Sequence, residues 1–455
     1  MRRALILAAG KGTRMKSEIP KCGYPILNKA MILYQIEALE RANVDQIIVV
    51  IGYKSKFFEN LLGSRVIFVK QEEMLGTAHA ALQAKSLLEN KDDKTIILPG
   101  DMPLIHAPLI DKLFRSHEEM GNDLTVVSMV QDNPKGYGRI IYDEFRNIDQ
   151  IIEDKDCNDV QKQTKEVNSG TYLVNNKSFY KKLNKIQMNS RSGEYYLTDI
   201  VKMMKKEYKV SVFKARNNLE FMGINTLYQV SLAEKYLRRI INRSMMESGV
   251  SMINPDTITI GHDVIIEEGV KILPNTTITG NTHIKRNSVI GPNTELNDAL
   301  IEEGSFIKHS LVYDSYVGKN SKVGPFSHIR DKTVIGEKNR IGNFVEMKNT
   351  KTKENTKASH LSYIGDSIVG KNVNFGCGSI TVNYDGVEKH TTKIGDDVFI
   401  GCNVNLIAPI EVSENVFIAA GSTVTKNVPK GSLAIARNKQ INKEDYYKNL
   451  IKPKK

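Results

Sequence analysis

The feature that most limits the fold of this chain is a beat of aliphatic side chains at every sixth position of its C-terminal half. The beat runs through Ile260, Ile266, Ile272, Ile278, Ile284 and Ile290, with Leu296 next in step. It resumes at Val317, Val323, Ile329, Ile335, Ile341 and Met347, and again at Ile394, Ile400, Leu406, Val412, Ile418 and Val424. A helix repeats near every ~3.6 residues and a half-buried strand every second one, so neither gives a six-residue beat. A coil does, if every sixth side chain points inward and the chain turns after each short strand. Four residues beyond the apolar position stands a small or β-branched residue: Val264, Val270, Thr276, Thr282, Ser288 or Thr294. A tight corner has room for little else, and Gly, Asn and Asp crowd the positions between, as turns require. The pattern predicts a parallel β-helix of hexapeptide repeats from about Ser251 to Pro429. It breaks around Met347–Tyr363 and at NYDGVEKHTTK from Asn383, and insertions in a solenoid emerge on one face, often the binding face.

Ahead of the coil, strand-like and helix-like segments alternate. ALIL, QIIVVIG, VIFVK, TIILPGD, DLTVVSMV and KVSVFKA read as strands. KSKFFENLL, GTAHAALQAKSLLE and LIDKLFRSH read as helices between them. That alternation predicts a mostly parallel sheet covered on both faces, with ligands at the carboxyl ends of its strands. The loops after ALIL and TIIL are therefore the places for chemistry. The stretch from Gly136 to about Asn175, rich in turns and β-branched residues, reads as extra strands and loops over one edge of the site. From Leu227 to about Glu247 the chain has neither Gly nor Pro and reads as a connecting helix that Gly249 can end. The organisation is then 1–226, an α/β domain; 227–250, the helix; 251–430, the coil; and 431–455, a Lys-rich tail.

At 455 residues the chain is too long for one ordinary domain, and two or three are expected. Arg2 and Arg3 before ALILAAG imitate a secretion signal, but the apolar run is short and leads into KGTR, so it reads as a buried first strand. No run approaches the ~18–20 apolar residues of a membrane span. Cys22, Cys157, Cys377 and Cys402 show no metal-ligand spacing and are expected as free thiols in a reducing cytoplasm. The net charge of +12 raises the question of nucleic acid. Its lysines are dispersed and not interleaved with stacking aromatics, which favours a solvated surface with sites for polyanionic small molecules.

LILAAGKGTRM sets a Gly-rich loop directly after a buried strand, where successive N–H groups can cradle phosphate. It is neither the dinucleotide fingerprint nor the Walker pattern. Alone, such a loop is as readily a structural turn, Lys21 a solvated lysine and Asp101 a turn or cap residue. Taken in order, however, LAAGKGTRM, Lys21, QEEMLGTAHA, LPGDMPL and GINT resemble the sugar-nucleotidyltransferase (pyrophosphorylase) family. With the coil and its IGNFVEMK and NYDG strings, nearly the whole chain is similar to the bacterial bifunctional uridyltransferase–acetyltransferases. The fold this implies is an α/β, Rossmann-like nucleotidyltransferase domain followed by a left-handed parallel β-helix.

The resemblance implies roles residue by residue. Arg14 and Lys21 supply fixed positive charge to UTP, and Asp101 with Asn225 holds Mg²⁺. Leu7, Ala8, Ala9, Gly10, Lys21 and Asn225 line the nucleotide site. Gln71, Gly76 and Thr77 read the uracil, while Gly138, Glu153 and Asn168 line the sugar pocket. Pro99 and the segment CGYPILNKAM depart from the family pattern. In the coil His360 is the general base for acetyl transfer. Arg330, Lys348, Tyr363, Asn374 and Lys389 hold the sugar-1-phosphate, and Cys377, Asn383, Tyr384, Cys402, Ala420 and Arg437 line the acetyl-coenzyme A groove. Cys377 and Cys402 stand where relatives commonly have Ala and Ser.

The implied substrates are glucosamine-1-phosphate, acetyl-CoA, UTP and N-acetylglucosamine-1-phosphate. The product is UDP-N-acetylglucosamine, a cell-envelope precursor. A cytoplasmic homotrimer with active sites at subunit seams is expected, without nucleic acid or membrane insertion. Two other readings stand beside this one. A single-activity nucleotidyltransferase could use the coil only for assembly, against which His360 and its basic neighbours argue. A translation-factor exchange subunit shares the two-part plan, against which the intact GKGTR and GDMPL strings argue.

Overall fold

The computed structural model describes residues 1–450; the last five, IKPKK at the end of the Lys-rich tail, lie outside the described residues. The chain divides into two compact units after Leu237, within the helix Leu227–Glu247. That helix has neither Gly nor Pro, and it ends where Gly249 takes φ +96°.

The first unit is built on nine strands: β1 (Arg2–Leu7), β2 (Gln46–Ile51), β3 (Ile67–Lys70), β4 (Lys94–Pro99), β5 (Leu124–Val130), β6 (Arg139–Tyr142), β7 (Ile148–Ile152), β8 (Glu166–Asn175) and β9 (Val210–Lys214). The main sheet runs β9-β5-β8-β4-β1-β2-β3, with the β6–β7 hairpin off one side. All neighbours along it are parallel except β8, which is antiparallel to both β4 and β5. Near-continuous apolar runs such as ALIL and IVVI are buried on both faces, by separate clusters around Ile36, Leu39 and Phe114 on one side and Ala81, Phe179 and Ile200 on the other. The signal-like N-terminus is thus the centre of a sheet.

One expectation is refined here and one corrected. The segment from Gly136 to Asn175 does supply extra strands, β6 and β7 as a hairpin off one side, but β8 runs inside the main sheet. Its Val167, Tyr172, Leu173 and Val174 are buried, and a bulge between Asn168 and Tyr172, with Gly170 at φ +82°, interrupts its pairing with β5. GTAHAALQAKSLLE forms two short helices, Thr77–Leu82 and Lys85–Leu88, rather than one.

In the second unit each coil pairs with the next in parallel. Lys271 pairs with Val289 and Thr277 with Glu295, eighteen residues on. The aliphatic ladder is its core, with every rung from Ile272 to Ile290 and from Val317 to Met347 fully buried. The small residues four positions later are the corners. Where the corner is Ser or Thr its hydroxyl is buried and donates to a turn carbonyl, as Thr282 Oγ1 does to Thr279 O (2.6 Å) and Ser327 Oγ to Gly342 O (2.6 Å), satisfying acceptors that water cannot reach. Asn residues at positive φ, among them Asn275, Asn293 and Asn372, form the outer bends, where αL costs them least.

The first break in the beat is not a loop. Arg340–Lys348 and Lys357–Gly365 are nine-residue strands paired seventeen residues apart, so this coil is merely one residue short. The second break is real: Ser367 pairs with Thr392, and the seven surplus residues leave the coil as a hairpin closed by Tyr384 and Lys389. One further rung, Leu433–Ala434, stacks on Phe417–Ile418 in what the sequence suggested was tail.

Candidate active sites

In the first unit β1 and β4 are neighbours whose ends are level, Leu7 pairing with Pro99. Gly100 N donates to Leu7 O (2.9 Å), and a side chain on Gly100 would strike Ala8 and Cys22, so the Gly-Asp turn is pressed against the loop after β1. This juxtaposition places Asp101 beside Lys21. The two form an ion pair, and Lys21 Nζ also donates to Asn225 Oδ1 (2.6 Å), which accepts from Arg14 Nη2 as well (2.7 Å). Lys21 and Asp101 are only 15% and 13% exposed, so neither is a solvated surface residue. Gly223 lies so close that a Cβ there would meet the Asp101 carboxylate at 3.4 Å.

The carboxylate of Asp101 and the amide oxygen of Asn225 therefore converge on a point that a cation, the Lys21 ammonium, occupies. Two oxygen ligands of this kind suit Mg²⁺, which takes its other ligands from water and phosphate. Among the described residues no cluster of three His, Cys, Asp or Glu side chains offers a complete protein cage. Cys22, beneath the pair, has its thiol pushed up to about 12 by burial, with the charge of Asp101 adding to the effect.

Leu7, Ala8, Gly10, Arg14, Lys21 and Asp101 line a cavity of about 220 Å³. Leu7 and Gly10 also border a larger one of about 500 Å³ with Gln71, Gly76, Thr77 and Glu153. Gly76 has φ +101° and a Cβ there would fall 2.6 Å from Tyr195 O, so only glycine fits. Gln71 is buried and its Nε2 donates to Gly76 O (3.2 Å), leaving a fixed amide edge. Asn168 N donates to Gly138 O (2.8 Å), and Asn168 Nδ2 donates to Tyr172 OH (2.7 Å). Glu153 accepts from Thr198 Oγ1 (2.9 Å), and burial raises its carboxyl above the usual range. Of the expected nucleotide and sugar residues, Leu7, Ala8, Ala9, Gly10, Lys21, Gln71, Gly76, Thr77 and Glu153 thus border two adjoining hollows, whereas Asn225 joins them through Lys21, and Gly138 and Asn168 pair with each other outside the lining. Three neighbours, Gln35, Tyr137 and Gly170, escaped the sequence reading. Gln35, fully buried, donates to Pro99 O (2.7 Å) and Met102 O (3.1 Å) and props the turn. Tyr137, its pKa raised by burial, feels the charges of Asp101 and Arg14. Pro99 packs against Gly170, whose lack of a side chain makes the room.

In the coil, residues that preceded one another by seventeen, twenty-five or eighteen positions share one corner. Asn343, His360, Cys377, Cys402 and Ala420 each stand immediately before a left-handed residue: Phe344, Leu361, Gly378, Asn403 and Gly421. They form a column along the outside of the coil. Arg437 lies over its upper end, near Gly421. His360 Nδ1 lies 2.9 Å from Asn343 Oδ1.

The next strands carry a second cluster. Arg330 pairs in register with Lys348, and Lys348 with Gly365. Arg330 is held by Glu346 (2.5 Å) and Asp331 (2.9 Å). The Lys389 ammonium faces that of Lys348, which lowers the pKa of Lys389. Lys348 also lies 4.0 Å from Asp331 and Lys389 feels the charge of Asp366, yet the mutual effect of the two ammonium groups outweighs these on Lys389, as suits a seat for an anion. Tyr363 OH accepts from Asn383 Nδ2 (3.4 Å), and Asn383 also donates to the buried carboxylate of Asp366, which accepts from Asn349 too (2.6 Å). Asp366, which the sequence did not single out, pins the base of the hairpin, and Asp385 at its tip is held well below the carboxylate range by backbone N–H groups and His390. Asn374 is not brought to this cluster. It pairs with Lys357, a full repeat before Tyr363, and so sits on the preceding face of the coil.

Residues 3–219 match the model of the nucleotidyl transferase family, residues 255–343 that of the GMPPB C-terminal domain, and residues 391–426 that of the bacterial transferase hexapeptide repeats. The chain is 57% identical over 451 residues to the bifunctional protein GlmU of Acholeplasma laidlawii, covering 99% of this chain and 98% of that one. It is 45% identical to the protein of that name from Clostridium tetani (98% of each chain) and 44% identical to that of Geobacillus sp. WCH70 (99% and 98%). With a nucleotidyltransferase sheet, a hexapeptide coil of the left-handed class and full-length relatives of both at once, the chain belongs to the GlmU family of bifunctional transferases.

Proposed function

We propose that the two units perform consecutive steps: acetyl-CoA acetylates glucosamine-1-phosphate on the coil, then UTP uridylylates N-acetylglucosamine-1-phosphate in the first unit. The observation that carries this reading is the His360 column, running from an imidazole held at Nδ1 by Asn343 to Arg437, with the paired lysines one corner further along the coil. A coil serving only assembly has no use for such a column.

For acetyl transfer the amine must be neutral when it attacks the thioester carbonyl. Asn343 Oδ1 can only accept, so Nδ1 of His360 carries the proton and Nε2 is left to act as base. Nε2 takes the amine proton as the C–N bond forms, and passes it to the coenzyme thiolate as the C–S bond breaks. Lys348, Lys389 and Arg330 hold the sugar phosphate, with Tyr363. Cys377, Cys402 and Ala420 floor the pantetheine groove, Asn383 and Tyr384 border it, and Arg437 meets the coenzyme's phosphates.

For uridylyl transfer the nucleophile is already an anion, so positioning and charge neutralisation suffice. Arg14 and Lys21 face the triphosphate. Asp101 and Asn225 would hold Mg²⁺, which when bound supplies further positive charge to those phosphates. Gln71, Gly76 and Thr77 select the base, and Gly138, Glu153 and Asn168 receive the sugar.

A homotrimer is supported by a row of exposed apolar residues in an unfavourable backbone conformation: Phe326, Phe344 and Leu361, each about 57–58% exposed and at positive φ. The rings of Phe326 and Phe344 stack at 5.5 Å. A seam there would also let Asn374 of one copy serve the phosphate seat of another. Among the described residues no helix is long and apolar enough to cross a membrane, and four unpaired thiols suit a reducing cytoplasm.

Incubation with glucosamine-1-phosphate, acetyl-CoA, UTP and Mg²⁺ tests the whole. UDP-N-acetylglucosamine should form only when all four are present. If N-acetylglucosamine-1-phosphate must be supplied ready-made, the coil is only a scaffold.

A further inference from the structure

We propose that Cys377 and Cys402 form a dithiol site, closing to an intramolecular disulfide when a low-molecular-weight disulfide reaches the acetyl-transfer corner.

The two residues lie twenty-five apart in sequence but one coil apart in space. The register on either side shows it: Asn374 pairs with Phe399 before them and Ile380 with Asn405 after them, with the same offset. Gly378 and Asn403, which follow them, both take positive φ, and Asn403 N donates to Cys377 O (2.8 Å). Stacked strands are about 4.8 Å apart, within the roughly 4.4–6.8 Å between Cα atoms that a disulfide spans. Gly376 gives the close approach, since a Cβ there would fall 2.5 Å from Cys402 N. Both cysteines are exposed, whereas Cys22 and Cys157 are buried. A corner needs neither thiol for packing, and its neighbours in the column are Asn, His and Ala.

The exchange balances in two steps. One thiolate attacks a sulfur of RS–SR, forming a protein–S–S–R bond and releasing RSH once the thiolate leaving group takes a proton. The second thiolate then attacks the protein sulfur and expels the other RSH. Two protein thiols lose two electrons and two protons, and the small disulfide gains them. The bridge lies directly beyond His360 in the column, across the path of an acetyl thioester. The bond itself does not depend on the acetyltransferase reading; its effect on turnover does.

The test treats the full-length protein with 2-hydroxyethyl disulfide and follows mass, thiols and both activities. The expected product weighs two hydrogens less than the reduced chain, and peptide mapping joins Cys377 to Cys402. Acetyl transfer should fall at least tenfold and return with dithiothreitol, while uridylyl transfer is unchanged. Cys377→Ser and Cys402→Ser, each compared with its own untreated sample, should stop at one mixed adduct. Separate adducts on both cysteines of the parent, or a bridge between two chains, would overturn the proposal. Formation of the bridge with no acetyl transfer in any sample would leave the dithiol standing and remove the acetyltransferase reading instead.

Discussion

His360 Nδ1 and Asn343 Oδ1 lie 2.9 Å apart on successive coils, and the pairing decides which imidazole nitrogen is free. An amide oxygen next to Nδ1 favours the tautomer with its lone pair on Nε2. Asn343→Ala removes that bias without touching substrate. Its kcat for acetyl transfer should fall by roughly tenfold, about 1.4 kcal/mol in the barrier, with little change in KM. Asn343→Asp should retain more activity than Asn343→Ala. A KM effect alone would show that Asn343 only shapes the pocket.

Asp101→Ala leaves the Lys21 ammonium without its carboxylate and Asn225 as the sole remaining oxygen of the convergent pair. Uridylyl transfer should be lost and acetyl transfer kept, each assayed with its own sugar phosphate. Near-normal UDP-sugar formation by this variant would dismiss the metal assignment.

The facing ammonium groups of Lys348 and Lys389 give the coil a pH signature. Their repulsion lowers the pKa of Lys389 below the ordinary lysine value, so the unliganded chain binds fewer protons in alkaline solution than an isolated lysine would. A phosphate dianion between them reverses this, so sugar phosphate binding should take up protons as pH approaches the ordinary value of about 10.4. Calorimetry in two buffers of different ionisation enthalpy measures the uptake. Lys389→Met should abolish it and weaken binding.

Phe344 occupies a left-handed position that Asn fills at other corners. Phe344→Asn should relieve backbone strain of about 1 kcal/mol. It should also remove the stack with Phe326. Sedimentation is expected to show weaker assembly, while the dissociated chain unfolds at an equal or higher denaturant concentration. Unchanged assembly would place the subunit seam elsewhere.

Ile329, a fully buried rung, tests the core. Ile329→Ala should lower unfolding free energy by about 2–5 kcal/mol in a denaturant titration.

Much of this was legible in the chain because the coil's period is a local property: Ile272 and Thr276 announce wall and corner within six residues. β1 and β4 were equally plain, as uninterrupted apolar runs ending in Gly-Asp or Gly-Lys-Gly. What escaped depends on distant register. Strands were expected between Gly136 and Asn175, but the place of β8 inside the sheet was not, because its pairing with β4 and β5 is set by residues far along the chain. Asn343 was quoted only as part of a string, since nothing local says that a seventeen-residue coil will set it under His360. Asp366 and Gln35 were silent because a buried polar side chain is defined by its partners, Asn383 in one case and the Pro99 carbonyl in the other.

The hairpin of Asn383–His390 changes how length maps onto place in this molecule. Seven extra residues leave the coil at a corner and return to it, and Ile394 still lands on the aliphatic ladder. Position along the chain and height along the axis are therefore separate coordinates. Additions at a bend lengthen the polypeptide without lifting any rung above it. A graft of foreign sequence at the hairpin tip, around Val387, should leave every higher coil at its original altitude, whereas one residue added inside a rung would rotate everything beyond it off the core.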